Sequence, residues 1–343
     1  MNDLSLLLDL QGQVRIDRVD SPALRDNPLG DPSIRPLAVY TPPGYDPSGS
    51  RTYPVLYCLH GYTGNVAGLV GTRAWETNVV QWADRLIVAG KMPPAIVAIV
   101  DGFTRLGGSQ YVDSIHNGDY ATYTVRDVIG YVDARYRTIA GPGGRGVFGK
   151  SSGGFAALHL SLSYPGVFGA FASHSGDAYF PYCYPIEFPT AMIVLEQHGG
   201  SIAAFVDAFE ARNKKSTPFF ALINQLGMAA AYSPRAAERW AIDLPFDAKT
   251  GQMREDVFAR WLAFDPVERI AGAREALAAM RLCYLDCGTR DEYGLFVGAR
   301  VFAQRCNDLG LEVRHEEFDD DHRNVGYRYA VSLPALAQAL DRA

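Results

Sequence analysis

The stretch GRGVFGKSSGG, residues 144–154, decides which fold this chain adopts, because it matches two catalytic motifs at once. Read from Gly144, it is GxxxxGKS, the phosphate-binding loop of a nucleotide hydrolase. Read from Gly149, it is GxSxG, the strand-to-helix turn that presents a serine nucleophile. The surrounding residues must discriminate between the two motifs.

The preceding residues disfavour the phosphate loop. That loop needs a buried strand running into its first glycine, because backbone amides at the strand end wrap around the phosphate. The residues before Gly144 are TIAGPG, and Pro142 makes them a poor strand. The apolar pair Val147 and Phe148 would also fall inside the loop. Nucleotide binding is therefore the weaker alternative, and binding of a nucleotide by the purified protein would revive it.

The serine-centred turn fits the same residues better. It places the apolar pair in a strand and brings strand and helix so close that the positions two before and two after the serine must lack side chains. Gly149 and Gly153 meet this requirement. We therefore predict a nucleophile elbow centred on Ser151.

The rest of the chain indicates an α/β fold with a mostly parallel central sheet and helices on both faces. Short apolar runs such as VLYCLH and AIVAIVD alternate with segments of helical period, the pattern of βαβ units. The alternation stops over residues 179–272, which read as several helices with aromatic-rich connections. We predict an α/β core, residues 1–178 and 273–343, with residues 179–272 as an inserted helical cap.

Composition excludes several classes of protein. The 343 residues are 48% hydrophobic and carry a formal net charge of −6, with no basic run of the kind that binds nucleic acid. No segment is long and apolar enough to span a membrane, and the N-terminus lacks the basic residues of a signal peptide. We expect a cytoplasmic protein with a small-molecule substrate, and homo-oligomerisation stays possible.

Neither a disulfide framework nor a metal site is expected. The five cysteines form an odd, unpatterned set, which indicates reduced and mostly buried thiols. The consecutive carboxylates at residues 319–321 are interpreted as a solvated loop, because no partner cluster of metal ligands accompanies them. The sequence predicts no cofactor.

A serine nucleophile needs a histidine base, which in turn needs an acid to orient it. His322, in the loop after the last predicted strand, is the histidine placed to face the serine. Of the acids in LDCGTRDEYG, Asp286 is still within a strand, whereas Asp291 lies in the turn that follows. We favour Asp291, with Glu292 as the alternative.

The oxyanion formed during ester cleavage needs two amide donors. One is the backbone N–H of Ser152, at the start of the helix after the elbow. The second is the N–H of Tyr62 in LHGYTGN, where Gly61 permits a tight turn. Lys150, beside the nucleophile, is expected to face solvent. The aromatic residues of the cap are expected to pack its own core rather than line a pocket: Tyr179, Phe180, Tyr182, Tyr184, Phe188, Trp240 and Trp261.

The chain resembles the putative esterase family of α/β-hydrolases. This family includes S-formylglutathione hydrolases, siderophore, feruloyl and acetyl-xylan esterases, and mycolyl transferases. The matching pieces are VYTPPGYD, YPVLYCLHGYTGN, FGKSSGGFAAL, CGTRDEYG and DDDHRNVGYRY. The resemblance implies Ser151 as nucleophile, Asp291 as acid, His322 as base, and Tyr62 and Ser152 as oxyanion donors. The long segment 179–272 departs from the compact family pattern.

The sequence therefore predicts a cofactor-free serine hydrolase that cleaves carboxylic esters through an acyl-enzyme. Two alternatives stay open: an acyltransferase with the same triad, and a non-catalytic binding module on a hydrolase scaffold.

Overall fold

The computed structural model describes residues 4–341, and within them a central sheet of eight strands organises the chain. These strands are β1 (Gln13–Asp20), β2 (Ile34–Thr41), β3 (Val55–Leu59), β4 (Ile96–Val100), β7 (Arg145–Lys150), β8 (Ala170–His174), β9 (Leu282–Gly288) and β10 (Arg314–Phe318), while β5 (Asp113–Ser114) and β6 (Gly118–Asp119) form a separate hairpin. The sheet order is β1-β2-β4-β3-β7-β8-β9-β10. The β1–β2 and β2–β4 pairs are antiparallel and the other pairs are parallel, which confirms the predicted mostly parallel sheet.

Helices connect the strands. In the described part of the chain they are α1 (Ser5–Leu8), α2 (Val66–Val70), α3 (Val79–Val88), α4 (Tyr120–Thr122), α5 (Ile129–Arg135), α6 (Ser152–Ser163), α7 (Phe180–Cys183), α8 (Phe188–Gln197), α9 (Ile202–Ala211), α10 (Thr217–Tyr232), α11 (Glu255–Leu262), α12 (Pro266–Arg269), α13 (Arg274–Ala278), α14 (Leu295–Asp308) and α15 (Tyr329–Leu340). A π-helical segment, Tyr123–Val128, joins α4 to α5. Short 3₁₀ turns occur at Pro22–Leu24, Pro142–Gly144, Pro185–Glu187, Ala271–Ala273 and Val325–Arg328.

The central strands of the sheet are buried on both faces, as their near-continuous apolar sequences require, whereas the edge strands β1 and β10 are partly exposed. All residues of β3 and β4 are buried. In β7, Val147 and Phe148 point to opposite faces, because successive side chains of a strand alternate. Val147 packs in the cluster that includes α5, α6 and α14, whereas Phe148 packs in the cluster that includes α3 and α15. The pair that the phosphate-loop interpretation would have exposed is thus at the centre of the core.

Residues 179–272 contribute no strand to the central sheet. They contain α7 to α12 and, outside these helices, turns, an irregular stretch at 233–254 and two isolated β-bridges. Their apolar side chains form a third cluster, which continues onto Phe155 of α6. The end of the segment packs differently, because Val267 and Ile270 belong to the cluster beneath the sheet. The division into a core and a cap stays a prediction.

All five cysteines are free and buried, as the sequence predicts. Burial raises the pKa of the Cys283 and Cys306 thiols to about 12 in each case, so both are protonated at neutral pH. Across residues 4–341, no helix combines the length and the apolar character needed to cross a membrane.

Candidate active site

Ser151 occupies a strained turn between β7 and α6. Its backbone angles are φ 58° and ψ −126°, a conformation that a residue with a side chain rarely adopts. The Ser151 amide donates a hydrogen bond of 2.9 Å to the His174 carbonyl at the end of β8. A Cβ atom built on Gly149 or Gly153 would lie 2.4 or 2.1 Å from the Leu59 carbonyl oxygen, so both glycines are sterically required. Residues 145–150 form a strand, which leaves no phosphate loop.

The structure brings Ser151, His322 and Asp291 together. The Nε2 atom of His322 lies 3.1 Å from Ser151 Oγ, and its Nδ1 atom lies 2.7 Å from Asp291 Oδ2. Both His322 and Asp291 are buried. Because a carboxylate only accepts, Nδ1 donates to Asp291 and Nε2 is left to accept a proton from the serine. This is the relative geometry of a nucleophile, a base and an orienting acid.

The other two candidate acids contact different partners. Glu292 accepts the backbone N–H of His322 at 3.0 Å and pairs with Arg323 at 3.2 Å. Asp286 lies 2.7 Å from the Nδ1 atom of His174. Among the three acids weighed from the sequence, Asp291 is therefore the one in contact with the His322 ring.

The loop after β3 brings a second backbone donor to the elbow. A Cβ atom on Gly61 would lie 3.3 Å from Ser151 Cβ, so this loop is adjacent to Ser151. The Tyr62 hydroxyl donates to the Leu106 carbonyl at 2.6 Å, which fixes its side chain. Within residues 4–341 the Tyr62 amide has no hydrogen-bond partner. The Ser152 amide is in the first turn of α6, where amides have no partner within the helix.

His60 supports this loop, a role that the sequence analysis did not assign. Its Nε2 atom accepts the Gly102 amide at 2.8 Å, so Nδ1 carries the hydrogen and donates to the Gly61 carbonyl at 2.9 Å. Burial lowers the pKa of His60, which keeps the ring neutral. The only signal in the sequence was a histidine beside Gly61 in LHGYTGN.

A cleft of about 770 Å³ opens over the elbow. Ser151, His322, Tyr62 and Lys150 all contribute to its lining. Lys150 is only partly exposed, and burial lowers its pKa despite the opposing charge of Asp291. The prediction of a solvent-facing lysine is therefore wrong, because Lys150 is largely covered and lines the cleft.

The predicted packing role of the cap aromatics holds for part of the set. Phe180, Phe188 and Trp261 are buried in the third cluster. Tyr184 is buried in the same cluster but also lines the cleft, so for this residue the prediction that it lines no pocket is wrong. Tyr182 differs, since 58% of its surface is exposed. The buried members stabilise the segment itself, because each aromatic ring removes a large apolar area from water.

A second Asp–His–Ser array joins the interior strands β8 and β9 to helix α15. His174 contacts Asp286 through Nδ1 at 2.7 Å and Ser332 Oγ through Nε2 at 2.8 Å. All three side chains are at most 1% exposed, so no substrate reaches them. Asp286 also accepts Arg328 Nε at 2.8 Å, and Arg328 bonds Glu316 at 2.6 Å. This network anchors the segment that follows His322.

We expect Arg328→Met to lower the free energy of unfolding by about 3 kcal/mol, because it removes the partner of a buried carboxylate. Asp286 is 1% exposed. Burial alone would raise its pKa, but His174 and Arg328 outweigh burial and lower it, so the carboxylate is charged. Urea unfolding at pH 7 measures the change.

The matched control for Arg328→Met is Arg300→Met. Arg300 pairs with Glu317 at 2.5 Å, but its side chain is 52% exposed. Exposed pairs contribute less than about 1 kcal/mol. Equal losses of stability in the two variants would show that the buried network has no special anchoring role.

No metal centre is formed by the described residues. Between residues 4 and 341, no group of three or more histidine, cysteine, aspartate or glutamate side chains could hold a metal ion.

The fold and the elbow define the class of this protein, an α/β-hydrolase. A ferulic acid esterase of known structure aligns with 96% of this chain and 99% of its own, with a TM-score of 0.62 and 18% identity. An S-formylglutathione hydrolase from Agrobacterium tumefaciens aligns over 96% of both chains, with a TM-score of 0.59 and 15% identity. At such identities the likeness establishes the fold.

The sequence comparison establishes the family. The family described as putative esterase matches residues 33–335, and the chain belongs to this family. Esterase Rv1288 of Mycobacterium tuberculosis is 36% identical over 141 residues, which are 41% of this chain and 28% of that protein. The aligned part thus spans little more than a quarter of this relative.

Proposed function

We propose that this protein is a serine esterase that hydrolyses carboxylic esters through an acyl-enzyme on Ser151. The observation that carries the proposal is the continuous contact from Ser151 Oγ to His322 at 3.1 Å and from His322 to Asp291 at 2.7 Å. These three groups are the nucleophile, the base and the orienting acid that ester cleavage requires.

Acylation uses the hydrogen bonds along this chain of contacts. Ser151 Oγ attacks the carbonyl carbon of the ester while His322 Nε2 takes the hydroxyl proton. Asp291 accepts a hydrogen bond from Nδ1–H and stabilises the imidazolium that forms. When the tetrahedral intermediate collapses, the C–O bond to the alcohol breaks. The same proton then passes from Nε2 to the departing oxygen.

The amides of Tyr62 and Ser152 would stabilise the negative oxygen of the intermediate. Both N–H groups border the elbow, and that of Ser152 starts the 12-residue helix α6, whose N-terminus carries partial positive charge. Losing one such donor costs about 10²- to 10³-fold in kcat in other serine hydrolases.

Deacylation needs only water. His322 Nε2 removes a proton from a water molecule, whose oxygen attacks the acyl carbon. Collapse of this second intermediate releases the carboxylic acid, and the proton returns to Ser151 Oγ. The mechanism balances without a cofactor or a metal ion.

Covalent labelling tests the proposal. A fluorophosphonate probe should react in a time-dependent manner, and mass spectrometry of the digested protein should locate the adduct on Ser151. The protein should also hydrolyse p-nitrophenyl acetate. Failure of both reactions would indicate a non-catalytic binding module. Acyl transfer to an added alcohol in preference to water would indicate an acyltransferase.

Asp291→Asn is expected to lower kcat/KM for p-nitrophenyl acetate by about 10³- to 10⁴-fold, because the amide no longer stabilises the imidazolium or holds its tautomer. Glu292→Gln is the matched control. Its amide oxygen can still accept the His322 backbone N–H, so the loss should stay below about tenfold. The reverse order of effects would assign the acid to Glu292.

A further inference from the structure

Two carboxylates line the active-site cleft without a part in the proposed mechanism. Asp177 follows β8, and Glu187 ends the 3₁₀ turn Pro185–Glu187. Asp177 is only 7% exposed, so it is a nearly buried acid that still reaches the cleft. Acids in such a position need donors or cations as partners.

The protein supplies hydrogen bonds to one oxygen of Asp177 only. Its Oδ2 atom accepts from Gln110 Nε2 at 3.2 Å and from the Tyr184 hydroxyl at 3.1 Å, and Ser152 Oγ lies 3.4 Å away. Among residues 4–341, nothing donates to Oδ1. This oxygen is available to a group that enters the cleft.

Glu187 shows the same arrangement. Its Oε2 atom accepts from Asn224 Nδ2 at 2.7 Å and from Gln225 Nε2 at 2.9 Å, both neutral amides. In the described part of the chain, Oε1 receives no hydrogen bond. Each acid therefore has one oxygen held in place and one oxygen free.

Within residues 4–341, neither Asp177 nor Glu187 forms an ion pair within 4.0 Å, although Lys150 lines the same cleft. The two arginines of the cleft are engaged elsewhere, since Arg323 pairs with Glu292 at 3.2 Å and Arg73 with Glu76 at 3.7 Å.

The pKa shifts of Asp177 and Glu187 agree with negative charges that no ion pair offsets. Burial raises the pKa of Glu187, and the negative charge of Asp177 raises it further. Burial likewise raises the pKa of Asp177, although His322 and the hydrogen bonds oppose this. The negative charge of Asp177 opposes the lowering of the Lys150 pKa by burial, although the two groups form no ion pair. Two carboxylates thus repel each other in one cleft beside the nucleophile.

We propose that Asp177 and Glu187 form a subsite for an ammonium group, so that the preferred esters carry a cation on their acyl or alcohol part. The inference rests on the proposed function, because the subsite shares the cleft of Ser151. An ammonium group can donate to a free carboxylate oxygen and also offset the negative charge of the two acids. A neutral donor offers only the hydrogen bonds, and an anionic substrate is repelled.

Inhibition of p-nitrophenyl acetate hydrolysis by n-butylammonium tests the subsite. Butyramide is the neutral donor of matched length, and sodium chloride holds the ionic strength constant. For the wild-type protein we expect the inhibition constant of n-butylammonium to be about tenfold lower than that of butyramide.

Two isosteric variants and one control sharpen the test. Glu187→Gln and Asp177→Asn keep an oxygen for the neighbouring donors but remove a charge, and each should raise the inhibition constant of n-butylammonium about tenfold. Glu196→Gln, an exposed acid on α8 outside the cleft, should leave that constant unchanged. Thermal melting of each variant checks that it folds.

The outcomes separate the subsite from the proposed function. Equal inhibition by n-butylammonium and butyramide, or an unchanged constant in Glu187→Gln, would overturn the subsite while esterase activity stands. If the protein neither hydrolyses the ester nor reacts with a fluorophosphonate, the proposed function fails. Calorimetric binding of n-butylammonium, which needs no turnover, then decides on the subsite with the same variants.

Discussion

Replacing Ser151 with alanine is expected to lower kcat for p-nitrophenyl acetate by about 10⁴- to 10⁶-fold and to abolish labelling by a fluorophosphonate. The variant keeps the amides of Tyr62 and Ser152 and the cleft, so binding of the ester should change little. What it loses is the oxygen that lies 3.1 Å from His322 Nε2. Stopped-flow or steady-state absorbance of the released nitrophenolate measures the effect.

A second serine provides the control for Ser151→Ala. Ser50 is exposed and belongs to the loop before β3, away from the elbow. Ser50→Ala should retain wild-type rate and labelling. Residual labelling of Ser151→Ala at a wild-type rate would assign the nucleophile to another residue and would contradict the proposed mechanism.

Gly153→Ala is expected to destabilise the protein by more than about 3 kcal/mol and to remove activity with it. The added Cβ atom would lie 2.1 Å from the Leu59 carbonyl oxygen. That oxygen belongs to β3, a central strand, so neither partner can shift without disturbing the sheet. Urea unfolding followed by circular dichroism gives the change in the free energy of unfolding.

Gly130 offers a matched control for the same substitution. It lies in α5, and a Cβ atom there would meet nothing within 4 Å. Gly130→Ala should therefore stabilise the protein by up to about 1 kcal/mol, because alanine loses less backbone entropy in a helix. If Gly153→Ala were as stable as wild type, the close approach of strand and helix would not be a steric requirement.

The local features of this protein were readable from the sequence alone. The strands follow from runs such as VLYCLH, and the elbow follows from Gly149 and Gly153 around Ser151. Such features depend on neighbours a few residues apart, through side-chain alternation, backbone freedom and steric clearance. The histidine was also predictable, because only His322 occupies a loop after the last strand.

The choice of acid lay at the limit of sequence reasoning. Asp291 and Glu292 are adjacent in one turn, and no periodicity says which side chain faces inward. The tertiary structure directs Asp291 to the His322 ring and Glu292 to the His322 backbone amide. Which of two adjacent side chains faces inward depends on the backbone direction of the loop, and the periodicity of the sequence does not specify that direction.

Contacts between distant residues were decided by the tertiary structure only. Ser151 and His322 are 171 residues apart, and they meet because β7, β8, β9 and β10 are neighbours whose carboxyl ends share one edge of the sheet. The position of Lys150 in the cleft, which it shares with Asp177 and Glu187, has the same origin. Local sequence determined which groups were available for chemistry, and chain topology determined which of them lie within hydrogen-bonding distance, because that distance depends on packing of the whole core.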